Sequence, residues 1–125
     1  MGKSSLLVVL MLLASSLHAE TINCNLSGKS LFSLINLDTK AKTAELKDTS
    51  GRSSAAKINA VRPSGNGKDK INIAMEYEID NAPIHLDIII VPVGEEEYRV
   101  GIAGYGGNGK KKVLDLVSED KAMCF

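Results

Sequence analysis

The stretch Lys70-Ile71-Asn72-Ile73-Ala74-Met75-Glu76-Tyr77-Glu78-Ile79-Asp80 alternates apolar and polar residues almost without interruption. Ile71, Ile73, Met75, Tyr77 and Ile79 fall on one face. Lys70, Asn72, Glu76, Glu78 and Asp80 fall on the other, where Ala74 is the one apolar residue. Successive side chains of a strand point to opposite faces, so this segment packs one side against a core and wets the other.

Working outward, Ile84 to Val93 repeats the alternation with Ile84, Leu86, Ile88 and Ile90 on one face. The second face, His85, Asp87, Ile89 and Val91, turns apolar halfway along. Tyr98, Val100 and Ile102 continue the pattern. Weaker runs cover residues 22–26, 31–37, 43–47, 55–61, 113–117 and 122–125. The breaks carry turn chemistry: Asp38-Thr39-Lys40, Asp48-Thr49-Ser50-Gly51, Pro63-Ser64-Gly65-Asn66-Gly67, Asp80-Asn81-Ala82-Pro83 and Gly106-Gly107-Asn108-Gly109. Gly and Asn tolerate the positive φ of tight hairpins. Leu31, Leu34, Ile35 and Asp38 also have helical spacing, as do Val113, Leu116 and Val117, but their β-rich surroundings favour strands. The expectation is an all-β, antiparallel up-and-down meander of seven or eight strands, closed into a barrel or, as the alternative, stacked as a sandwich.

The two cysteines bear on that choice. Cys24 lies in the first strand and Cys124 is the penultimate residue. In an oxidising compartment an even pair without other partners forms a disulfide. Bonding them makes the first and last strands neighbours, and neighbouring ends of a meander mean a closed barrel, which removes both sheet edges.

Residues 1–19, MGKSSLLVVLMLLASSLHA, have the plan of a secretory signal: Lys3, an apolar run from Leu6 to Ala14, and a small residue, Ala19, before Glu20. That run is too short for a span of about 20 residues. Cleavage after Ala19 leaves residues 20–125 as a single domain, with a periplasmic or extracellular location as the expectation. The chain has 15 basic and 15 acidic side chains, and Lys3 is the one charged residue among 1–19, so residues 20–125 carry a net charge of −1. A chain so balanced, with 44% hydrophobic residues, is neither a disordered tail nor a basic nucleic-acid binder. An aromatic content of 4% argues against a stacking platform for bases.

Several patterns have chemical overtones. Gly104-Tyr105-Gly106-Gly107-Asn108-Gly109-Lys110 has the G-x-x-x-x-G-K spacing of a phosphate-binding loop, but Lys111 stands where magnesium coordination needs Ser or Thr. The expected context is a hairpin, not a strand–loop–helix unit. Lys110-Lys111-Lys112 and Glu95-Glu96-Glu97 are charge triplets at successive turns, explained by solvation, with the lysine tip a candidate docking point for an acidic partner. Glu76 and Glu78, about 6.6 Å apart along a strand, overlap the spacing of a glycosidase pair, yet nothing in sequence buries either. His85 is the one histidine in residues 20–125 and shares a face with Asp87, without a nucleophile or a second metal ligand tied to it by motif. No cofactor, metal or membrane span is expected.

The apolar outer face around Ile89 and Val91 is the best candidate for a partner surface, with Lys110, Lys111 and Lys112 the second. The leading expectation is an exported binding or inhibitory module without catalytic activity, holding a protein or apolar ligand on a surface patch or in the barrel mouth. The alternative is a structural or envelope-assembly protein that associates through the apolar strand 84–93. A hydrolase using Glu76 and Glu78 ranks last.

Overall fold

A computed structural model describes residues 21–65, 67–106 and 113–125. Eight antiparallel strands follow one another round a closed barrel, each bonded to its sequence neighbours and β8 bonded back to β1. They are β1 (Thr21–Leu26), β2 (Phe32–Asp38), β3 (Thr43–Asp48), β4 (Ser53–Pro63), β5 (Asp69–Ile79), β6 (Ala82–Pro92), β7 (Glu97–Gly106) and β8 (Val113–Cys124). The expected signal, residues 1–19, and the lysine triplet 110–112 lie outside the described residues.

The alternation read at residues 70–80 is the burial pattern of β5: Ile71 and Ile73 are fully buried and Met75 and Tyr77 nearly so, whereas Glu76 and Glu78 are exposed. On β6, Ile84, Leu86, Ile88 and Ile90 point inward with them. Every strand sends buried side chains to the interior, among them Cys24, Phe32, Leu46, Ile58, Ile73, Ile88, Val100 and Ala122. Eight strands leave an interior just wide enough for side chains to fill. Both segments with helical spacing are extended, as parts of β2 and β8.

Tight turns follow local chemistry. Between β5 and β6 the connection is the pair Asp80 and Asn81, with φ of 52° and 64°. Positive φ at both central residues is the turn whose twist matches a two-residue hairpin. The turn is shorter than the four residues expected, so β6 starts at Ala82.

The closing seam carries the disulfide. Cys24 and Cys124 are bonded, with Cα atoms 4.1 Å apart. Only Cys24, Asn25 and Leu26 of β1 meet β8, opposite Cys124, Met123 and Ala122. The chain adds reciprocal bonds from Asn23 N to Phe125 O and from Phe125 N to Asn23 O, each 3.0 Å. The runs expected at 113–117 and 122–125 are thus one strand, carried through the polar residues Ser118 to Lys121. That continuity depends on Asp120, which points inward and is 3% exposed.

Candidate functional site

Two buried carboxylates lie near the barrel end that the β1–β2 connection covers. Asp48, expected in a turn, is instead the last, inward residue of β3. Its Oδ1 accepts from Ser50 N (3.0 Å), Ser50 Oγ (2.6 Å) and Arg52 N (2.9 Å). Its Oδ2 accepts from Tyr77 OH at 2.6 Å and faces Arg52 Nε at 3.3 Å. The Arg52 guanidinium lies 4.7 Å over the Tyr77 ring, which meets Phe32 edge-on at 5.5 Å. The Ser50 hydroxyl, then the Tyr77 hydroxyl, hold the Asp48 carboxyl well below the usual carboxylate range, against the opposing effect of burial. Burial, reinforced by Asp48, pushes the Tyr77 phenol up. Asp120 takes donors from Ser27 Oγ, Ser30 N and Oγ, and Lys121 N. Burial alone would raise it, but these hydrogen bonds outweigh burial and lower it. Both carboxylates are surrounded by donors from their own chain, so they staple loops to the barrel end and present no lone pair to a substrate.

The outer wall of β5 to β8 is built differently. Because inward positions alternate with outward ones, His85, Asp87, Ile89 and Val91 of β6 face out, with Arg99, Gly101, Ala103 and Tyr105 of β7 beside them. Register sets Ile89 between Asn72 of β5 and Gly101 of β7, and sets Gly101 opposite Glu119 of β8. The adjacent row reads Ala74, Asp87, Ala103 and Val117. Small residues at 101 and 103 leave a shallow hollow between Ile89 and Val117. A Cβ on Gly101 would come within 3.2 Å of Ile89 Cγ2, so the missing side chain lets Ile89 lie against β7. Ile89 is 38% and Val117 69% exposed, so two aliphatic side chains on neighbouring rows border the hollow.

A charged rim surrounds this floor. His85 Nδ1 is 2.5 Å from Glu76 Oε2 and its Nε2 is 3.2 Å from Asp87 Oδ1. A neutral imidazole has one N–H, so both contacts are donated hydrogen bonds only when the ring carries two protons. Arg99 pairs with Glu119 at 3.3 Å, and Asn72 Nδ2 donates to Ile88 O at 3.2 Å. Each ring nitrogen of His85 faces a different carboxylate, so the three groups do not converge on one point. Among the described residues no group of three His, Cys, Asp or Glu could hold a metal ion.

Of the candidate partner residues, Ile89 stands exposed on this wall and Val91 is half-buried beside it; Lys110, Lys111 and Lys112 lie outside the described residues. Gly104 to Gly106, the start of the phosphate-loop spacing, belong to antiparallel β7. Glu76 is engaged by His85, and the main-chain oxygen of Glu78 accepts from Arg52 at 2.9 Å. Sequence reasoning missed Gly101, Ala103 and Val117. The alternation of Arg99, Gly101, Ala103 and Tyr105 against Val100 and Ile102 signals a flattened outer face on β7, but not which residues oppose it. No family model, curated protein or solved structure matches the chain.

Proposed function

We propose that the protein is an exported binding or inhibitory module without catalytic activity, and that it holds a partner protein on the outer wall of β6 to β8. The observation that carries this reading is the hollow of Gly101 and Ala103 flanked by exposed Ile89 and Val117, apolar at its centre and charged round its rim. That is the layout of a protein-recognition patch, whose desolvated centre supplies affinity while its polar edge sets orientation. An interior filled from all eight strands speaks for the wall over the barrel lumen, and for a protein over a small apolar ligand. The disulfide is compatible with export.

Self-assembly through strand 84–93 has less support. β6 is bonded along its length to β5 and β7, so only its outward side chains are on offer.

The test is capture of partners by the disulfide-bonded protein from the native extracytoplasmic fluid, compared with Ile89→Lys and Glu76→Lys variants. A saturable partner lost with Ile89→Lys and retained with Glu76→Lys supports the wall. Equal retention by both variants removes it.

A further inference from the structure

The outward residues of the wall sort by charge along the strands. Register sets Arg62 of β4 opposite Lys70 of β5, Val91 of β6 opposite Arg99 of β7, and Arg99 opposite Lys121 of β8. Ile71 stands opposite Ile90, so one step back along β5 Lys70 falls beside Val91. A single row across the barrel surface therefore reads Arg62, Lys70, Val91, Arg99, Lys121. The next outward row holds Asn72, Ile89, Gly101 and Glu119, and the carboxylates of Asp87 and Glu76 stand beyond it. Along β5 and β6 the floor of the wall thus has cations on one side and anions on the other.

Like charges directly opposite one another destabilise a sheet, and the row contains two such pairs, Arg62–Lys70 and Arg99–Lys121. The second pair is the closer. Cys124 N donates to Glu96 O, so main-chain bonds between β7 and β8 fall at even residues and Arg99–Lys121 is a pair without them, where side chains start nearer together. Compensation is incomplete. Arg99 has Glu119 at 3.3 Å, but among the described residues Arg62, Lys70 and Lys121 form no ion pair, although Lys70 is half-buried. Alternation turns Asp69 to the opposite face from Lys70. Glu97 leans toward the turn, where its Oε1 lies 3.8 Å from the place a Cβ on Gly94 would take, and Glu95 and Glu96 belong to that turn. A chain with a net charge of −1 over residues 20–125 has thus gathered unpaired cations into one band. Natural sequences break such local rules chiefly at functional sites.

We infer that the partner protein docks on this row through an extended acidic segment laid across the strands, with a carboxylate at each like-charged pair and an aliphatic side chain over Val91. The inference rests on the proposed wall, whose border the row forms and whose Ile89 shares the outer face of β6 with Val91. Charge complementarity sets the sign of the segment, because a carboxylate between two cations relieves their mutual repulsion. Strand geometry sets its spacing. Neighbouring strands lie about 4.8 Å apart, so the centres of the two pairs are three spacings, about 14 Å, apart round the wall, with Val91 midway. An extended chain rises about 3.3 Å per residue, which puts side chains four residues apart on one face about 13 Å from each other. A segment of the form acid, any, aliphatic, any, acid therefore spans the row. A polyanionic sugar chain has no aliphatic side chain to set against Val91, which is half-buried at the centre of the row.

The probe is the capped peptide Glu-Ser-Val-Ser-Glu, titrated into isotope-labelled, disulfide-bonded protein and followed by amide chemical shifts. Saturable shifts at Lys70, Val91, Arg99 and Lys121, with a dissociation constant of about 1 mM or below, support the inference, and their absence overturns it. Raising salt from about 0.1 M to about 1 M shortens the reach of charge from about 10 Å to about 3 Å and should abolish the shifts. Gln-Ser-Val-Ser-Gln should bind about tenfold more weakly, and Glu-Ser-Ser-Ser-Glu about threefold more weakly for want of the aliphatic contact. Equal binding by either control overturns the inference. The double variant Lys70→Gln, Lys121→Gln removes one cation from each pair and leaves Arg99 with Glu119. It should bind the peptide about tenfold more weakly and unfold at no lower urea concentration than the parent, because repulsion is relieved. A lowered urea midpoint would assign the two lysines to the fold and overturn the inference, and the control peptides, tested on the parent, decide independently of this variant. A disaccharide carrying two sulfates that binds more tightly than the peptide gives the row to a sugar chain. Shifts at the row that grow with protein concentration without peptide give it to a second copy. Either result overturns the inference. In partner capture, loss with Ile89→Lys and retention by the double lysine variant keeps the wall and overturns the row. Loss with the double lysine variant and retention by Ile89→Lys keeps the row and removes the wall.

Discussion

Asp48 ends β3 with its carboxylate encircled by Ser50 N and Oγ, Arg52 N and Nε, and Tyr77 OH. Its acid form is disfavoured in the folded protein relative to the unfolded chain, where an aspartate titrates near 3.9. The stability this group contributes is therefore present above about pH 4 and lost as pH falls below it toward the lowered native value. Asp120 behaves in the same sense. Urea midpoints should fall between pH 5 and pH 2 in the parent. Asp48→Asn should start lower at pH 5 and fall less, and a slope unchanged by the substitution would mean that acid sensitivity originates elsewhere. Tyr77 works at the opposite end of the scale. Its phenol is raised, so its contribution is complete below about pH 10 and lost as pH rises through the native value. Neither carboxylate was legible in the sequence as a core residue. An aspartate beside Thr, Ser and Gly reads as turn chemistry, and the burial that changes its meaning comes from Tyr77 and Ser27, far away along the chain.

Strands β5 and β6 were legible because each holds its alternation for about ten residues, long enough for period two to stand out. Ile88 and Ile89 put that alternation to a sharp test: adjacent in sequence and identical in chemistry, they are 0% and 38% exposed. Ile88→Ala should cost about 2–5 kcal/mol, the range for emptying a buried aliphatic site. Ile89→Ala should cost under about 1 kcal/mol, as expected of an exposed position. Chemical denaturation of the two variants checks the pair, and similar losses would place Ile89 in the core. Cross-strand register was not legible. His85 could be paired with Asp87 from their spacing, but Glu76, its closer partner, stands opposite only because the turn at Asp80 and Asn81 has two residues. The unequal lengths of β1 and β8 were hidden for the same reason. A polar run from Ser118 to Lys121 looks like a break until Asp120 finds Ser27 and Ser30.

For the molecule as a whole, the Cys24–Cys124 bond closes a circuit of 100 residues. Chain-entropy estimates give such a link about 4–5 kcal/mol, less where the unfolded chain keeps structure. Reduction should lower the melting temperature while leaving the β content intact at low temperature, since the alternation that drives folding does not involve sulfur. Amide exchange should accelerate first at the seam, where β1 meets β8 through three residues. Loss of all β signal on reduction at low temperature would show that the bond is needed for folding itself. The same bond governs how the molecule answers a mechanical pull. Of the described chain, only Thr21 to Asn23 and Phe125 lie outside the linked pair. Tension applied at the two ends therefore passes from sulfur to sulfur and bypasses every turn of the barrel. In a single-molecule stretching experiment the oxidised protein should behave as an inextensible bead at forces that unravel ordinary β domains. Adding reductant should release up to about 330–360 Å of contour length from the 100-residue circuit, in one step if the barrel yields cooperatively.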